Sequence, residues 1–310
     1  MSSTVAAARG PGDGAGALRS AQLAVIGLLL VLAVVAWVLT DLRMTGMDAG
    51  PGTDPGALGF YVTTWVVMMA AMMFPSISPM VLTYRNLQRG RRAQGVAVPG
   101  GTATLFVSGY LVVWGASGLI AYAILKGGRA LDGGLFAWHN AGRWTAAAVL
   151  IAAAIYEFTP AKHACLTRCR SPLGFLVGSW RDGRVGALRM GFEHGAWCLG
   201  CCWALMAALF ALGAMSMTWM LVIGALIAAE KLLPWQTAGT VGVAVVLAAL
   251  GLGVAAAPAR VPALTVPGSA TAMRAMGMTA KPHTARSTMM MKKPHPATST
   301  TMSMSMSSQR

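Results

Sequence analysis

The chain has 310 residues, 56% apolar and only 11% charged, with mean hydropathy +0.61, which excludes an ordinary soluble domain. Its formal net charge of +15 does not point to nucleic acid. The basic residues sit in loops beside apolar runs, the pattern of cytoplasmic loops facing anionic lipid, and no finger, homeodomain or RNA-binding sheet pattern interrupts the helices.

Residues 1–20 are small and glycine-rich, a flexible N-terminus. The run AQLAVIGLLLVLAVVAWVLT, 21–40, is as long as a bilayer core is thick. It reads as a retained first span, since a cleaved signal peptide has a shorter apolar core. Arg9 and Arg19 before it and three aspartates in the loop after it put the N-terminus in the cytoplasm. A second span covers 60–84, where Pro75 and Pro79 each remove a helical hydrogen bond and are expected to kink or end the helix. The loop carrying Arg85, Arg89, Arg91 and Arg92 then lies inside. A third span, about 101–125, offers Gly109, Gly115 and Gly118 as close-packing points. A fourth, about 144–161, ends at Glu157–Pro160, and the basic 162–190 segment returns to the cytoplasm. A fifth span at 191–214 and two more at about 218–233 and 237–257 complete a transmembrane domain over 21–257. Seven spans place the tail outside; a re-entrant 217–257 region would reverse it.

The fold class is therefore all-α: a polytopic helical membrane bundle of six to seven transmembrane helices. Residues 258–310 read as a disordered tail rich in Ser, Thr and Pro. Its methionines come in three groups, around Met276, Met290 and Met304, with His283 and His295 between them. Thioethers with imidazoles suit weak copper capture, and an unstructured end without any ligand role is the alternative.

The chemistry concentrates between Tyr156 and Met206. All five cysteines fall there, with two of the five histidines, in a clustering that argues against a disulfide framework and for thiols used as such or as metal ligands. On a helix, His194, Cys198 and Cys201 share a stripe about 60° wide, with Cys202 beside it. One helix cannot surround an ion, so further donors must come from another element. Cys165, Cys169 and His163 are the natural partner set, on a short segment between Pro160 and Pro172. A shared site requires the two cysteine blocks to lie within about 12 Å of one another. Small buried cysteines also serve simply as packing. Glu157 and Glu193 are costly inside a membrane and suit direct ligation, the orienting of a histidine, or proton acceptance. Glu230 beside Lys231 reads as an ion pair or a functional carboxylate. In the second span Met69, Met72 and Met73, with Met68, lie within about 140° of arc, as a copper path or as filler near a proline.

Four blocks carry a family resemblance: TTWVVMMAAMMFPSISPM (63–80), YEFTPAKHACLTRCRSP (156–172), GFEHGAWCLGCCWALM (191–206) and EKLLP (230–234). The chain resembles a bacterial family of predicted metal-binding integral membrane proteins, a domain of unknown function sometimes labelled copper chaperones. Ala161 stands where that family often has leucine. The resemblance implies membrane location and metal association, and it supplies no reaction.

The expected function is binding, handoff or transport of a soft transition metal at the bacterial inner membrane, copper before zinc because thiolates and thioethers match Cu(I). There is no phosphate-binding loop, so movement of a metal needs a gradient, a partner or handoff to a periplasmic or cytoplasmic metal chaperone. The bilayer is the first partner, with a membrane-protein partner or a homo-oligomer beside it. The alternatives are a thiol-dependent membrane oxidoreductase or metalloenzyme assembly factor, and a structural subunit without chemistry.

Overall fold

A computed structural model describes residues 11–47, 50–51, 54–131 and 138–275. The tail methionines beyond Met273, with His283 and His295, lie outside these residues. The described chain is built of helices: α1 (Pro11–Met44), α2 (Leu58–Ala93), α3 (Thr102–Leu131), α4 (Arg143–Tyr156), α5 (Pro160–Arg170), α6 (Pro172–Ser179), α7 (Gly183–Leu212), α8 (Met217–Leu232), α9 (Gln236–Ala256) and the short α10 (Ala270–Ala275). Five of them are long and apolar enough to cross a membrane, and α4 with α5 makes a sixth if that bent pair is one span. Large apolar side chains point outward, among them Val31, Val34 and Val38 of α1 and Val245 and Leu252 of α9. In water such a surface would drive aggregation; in lipid it is the expected exterior.

Helix α1 begins ahead of the apolar run at 21–40. Helix α2 runs on through both prolines, so of the expected kink or end the end does not occur. Pro79 has no N–H to give the Pro75 carbonyl, and the Ser78 hydroxyl donates to that oxygen instead at 2.8 Å. A local hydroxyl thus replaces the lost backbone donor, and the helix survives.

The fourth span breaks where the sequence thickens with polar residues. α4 and α5 meet at 66°. Thr159 caps α5 by accepting from the Lys162 N–H, and Pro160 opens the helix at its first position, where a missing N–H costs nothing. The bend turns α5 across the bundle so that its inner face meets α7.

Three buried ionisable groups meet at that bend. The Lys162 ammonium lies 2.7 Å from Glu157 Oε2 and 2.9 Å from Glu230 Oε2, with all three side chains no more than 2% exposed. Arg170 adds hydrogen bonds from its guanidinium to the carbonyls of Glu230 and Leu233. The end of α8 is thereby pinned to α5. With only 16 residues, α8 is about 24 Å long, and it forms a hairpin with α9.

The bundle has two distinguishable ends. At one, Arg91 of α2 pairs with Asp182 ahead of α7 at 2.7 Å. At the other, Lys126 of α3 reaches Asp54 of the α1–α2 loop at 2.8 Å. The Asp54 carboxyl is held below the usual carboxylate range by that lysine and the Gly56 N–H. The Trp219 indole of α8 donates to the Ala263 carbonyl at 3.1 Å, and Gly50 packs on the Thr265 backbone. The chain therefore leaves α9 at the same end as the α1–α2 loop.

Candidate metal centre

Near its midpoint α7 carries HGAWCLGCC. Helical geometry turns His194, Cys198, Cys201 and Cys202 inward, all at most 3% exposed. The sulfurs of Cys198, Cys201 and Cys202 all lie within 4.8 Å of one another. Cys201 is 3.4 Å from Cys202, and it stands 3.7 Å from Cys169 of α5. The two cysteine blocks, 32 residues apart along the chain, thus meet well inside the distance a shared site requires. None of the five cysteines is in a disulfide.

Two neighbours complete the group, and sequence reasoning did not assign either to it. The Lys231 ammonium of α8 donates to Cys198 Sγ at 2.9 Å, and the Tyr110 hydroxyl of α3 lies 3.0 Å from the same sulfur. The signal for Lys231 was present in the sequence, a lysine closing an apolar span. Its adjacent glutamate drew the reading toward an ion pair. Successive residues on a helix point about 100° apart, so Glu230 faces Lys162 while Lys231 faces the thiols.

Close helix packing makes the Tyr110 contact possible. A Cβ on Gly191 of α7 would run into the Phe106 carbonyl of α3, and one on Gly109 of α3 would meet the Leu188 carbonyl of α7. Backbone therefore touches backbone along this seam. Of the other expected contact points, Gly118 lies against the Trp65 ring, whereas Gly115 has only an ordinary contact with Val66.

His194 sits one turn before Cys198 in an aromatic box. The rings of Phe175, Tyr110 and Phe106 lie 5.2, 5.9 and 6.0 Å from it, centroid to centroid. Its Nδ1 is buried with no hydrogen-bond partner. An orphaned ring nitrogen is costly in such surroundings unless something binds it.

The remaining sequence candidates lie elsewhere. His163 is exposed on the outer face of α5. Cys165 is half-buried with its sulfur against Gly200 of α7, and the Tyr156 hydroxyl seals that contact by donating to the Gly200 carbonyl at 2.8 Å. Glu193 pairs with Arg181 at 2.8 Å near the end of the bundle. Glu157 belongs to the Lys162 network. Met69, Met72 and Met73 are buried in α2; Met72 lies beside Gly224 of α8, 3.5 Å from where a Cβ there would stand. The Arg168 guanidinium lies 4.2 Å above the Trp197 ring. A cavity of about 580 Å³ between α3, α4 and α7 is walled by Trp65, Trp114, Trp203 and apolar residues. No cysteine lines it.

The geometry is that of a soft-donor cluster. Sulfurs sharing one ion at about 2.3 Å stand about 4 Å apart, close to the spacings of Cys201 from Cys202 and from Cys169. Comparison with curated proteins and with solved structures finds no match. Comparison with protein families does: PpoB2, described as a copper chaperone, matches residues 62–254. That stretch contains every one of these thiols and agrees with the resemblance carried by the sequence blocks, so the chain belongs to the PpoB2 copper chaperone family.

Proposed function

We propose that the protein takes up Cu(I) on the thiolates of Cys198, Cys201 and Cys202, with Cys169 closing the site, and passes it to a metal chaperone at one end of the bundle. The observation that carries this reading is the 3.7 Å approach of Cys169 to Cys201. It supplies from α5 the donor that α7 cannot provide alone. Cu(I) is a soft ion, and thiolate richness selects it over harder ions. Zinc, which accepts four thiolates, is the competing cargo.

The surrounding residues have roles in this scheme. Thiolates around a monovalent ion leave excess negative charge in an apolar interior, and the Lys231 ammonium offsets it. Tyr110 orients Cys198 through its hydroxyl. His194 offers Nδ1 as a nitrogen donor at the rim of the sulfur group. The buried methionines of α2 offer weaker thioether donors along the bundle. The protein sits in the bacterial inner membrane with its N-terminus in the cytoplasm, a reading supported by the arginines at the Arg91–Asp182 end.

Metal analysis tests the assignment. Protein purified after copper exposure under reducing conditions should carry stoichiometric copper, and the Cys198→Ser/Cys201→Ser/Cys202→Ser variant should carry almost none. Cys169→Ser should retain copper but lose it to a Cu(I) chelator more readily than wild type. Equal copper in wild type and the triple variant would overturn the proposal, and zinc retained in preference to copper would reassign the cargo.

A further inference from the structure

Four arginines crowd the end of α2, and they do different things. Arg91 is committed: it pairs with Asp182 at 2.7 Å and lies 5.1 Å over the Trp180 ring. Arg85, Arg89 and Arg92 fall at i, i+4 and i+7, one face of the helix. Among the described residues no carboxylate pairs with any of the three. They line a cavity of about 250 Å³, closed on its far side by Gly101, Thr102, Ala103 and Thr104.

That far wall is the start of α3, a 30-residue helix. Its first N–H groups have no partner within the helix, and its dipole favours an anion there. The pocket is also built rather than incidental. Thr102 Oγ1 donates to Gln88 Oε1 at 2.8 Å, and Gln88 Nε2 donates to the Tyr84 hydroxyl at 2.6 Å. Arg92 donates to the Val98 carbonyl at 3.1 Å, tying down the loop that leads into α3.

Its depth follows from helix length. α2 has 36 residues, so it is about 54 Å long against a hydrocarbon core of about 30 Å. The apolar run begins at Leu58, and the last turns, with the arginines, reach the level of lipid headgroups.

We propose that Arg85, Arg89 and Arg92, with the N-terminus of α3, form a binding site for a phosphate group. Guanidinium forks match phosphate oxygens, and backbone N–H groups add to them. The shared chemistry is the phosphate, from an anionic phospholipid headgroup or free in the cytoplasm. The site lies apart from the thiols and stands or falls independently of copper binding.

The test uses the full-length protein in a non-ionic detergent. Native mass spectrometry compares adducts of phosphatidylglycerol with those of phosphatidylcholine, and inorganic phosphate is titrated as a competitor. Phosphatidylglycerol should be retained over phosphatidylcholine by about tenfold. The preference should vanish in Arg85→Gln/Arg89→Gln and persist in the charge-matched Arg184→Gln/Arg189→Gln. If the double variant does not fold, Arg89→Gln alone is read the same way. Displacement of the lipid by millimolar inorganic phosphate assigns the site to free phosphate, and its absence assigns the site to the headgroup. Wild type that binds no inorganic phosphate and holds both lipids equally, or a preference unchanged in Arg85→Gln/Arg89→Gln, would overturn the proposal.

Discussion

Lys231 and Lys162 are buried cations with opposite partners, and each predicts a different failure. Lys231 gives its proton-bearing nitrogen to a sulfur, 2.9 Å away. A hydrogen bond to a charged group contributes about 1.5–3 kcal/mol, so Lys231→Met should weaken Cu(I) affinity by about ten- to a hundredfold with little change in thermal stability. Chelator competition measures the first and a melting curve in detergent the second; unchanged affinity would remove Lys231 from the site. Lys162 holds two carboxylates instead. Lys162→Met strands both, and breaking such a buried network costs about 3–5 kcal/mol. The melting temperature should fall sharply. The neutral triple variant Glu157→Gln/Lys162→Met/Glu230→Gln should recover much of the loss, because no unpaired charge remains. A triple variant as unstable as the single one would show that packing, not charge, sets the cost. At this scale the sequence exposed the expensive groups but not their partners. Glu230 and Lys231 are neighbours in the chain, which suggested a pair, and helical rotation sends them to different sites.

Among the elements, α7 is central because it is packed backbone to backbone against α3. Gly191 has no room for a side chain beside Phe106. Gly191→Leu should force the two helices apart, unseat Tyr110 from Cys198 and lower both melting temperature and copper retention. The same substitution at Gly178 of α6, where nothing lies within 4 Å of the added Cβ, should do neither. Matching effects at both positions would mean that the seam is not what places the tyrosine. The break between α4 and α5 was legible in part: proline, threonine and glutamate in FTP and its surroundings marked an interruption. Its 66° angle was not, since it depends on where Lys162 finds its carboxylates. That α2 continues past Pro75 and Pro79 was not legible either, because the serine that donates to the Pro75 carbonyl is a contact no hydropathy window weighs.

On the scale of the whole molecule, the ion pairs sort the loops into two ends. The Arg91–Asp182 end holds Arg85, Arg89, Arg91 and Arg92 of α2 with Arg181, and the opposite end holds Asp54 and residues 258–265. On a background without native cysteines, Gln94→Cys and Arg260→Cys should label from opposite sides of sealed vesicles with a membrane-impermeant thiol reagent. Labelling of both from one side would contradict the two-ended arrangement. Should Gln94→Cys prove to be the outward one, the ends would stand and the inside N-terminus would fall.

Hydropathy along the chain was enough to specify a helical membrane protein, because burying a backbone in lipid leaves no alternative to helices when apolar runs reach about 20 residues. Residue type was enough to say that soft donors collect between Tyr156 and Met206. Which of them come together was decided only when the bundle closed. The meeting of Cys169 with Cys201, the separation of His163 and Glu193 from that group, and the arrival of Lys231 and Tyr110 all depend on a broken span held by a buried lysine–carboxyl network and a seam of glycines. Those are contacts between segments far apart in the chain, and linear spacing carries no record of them.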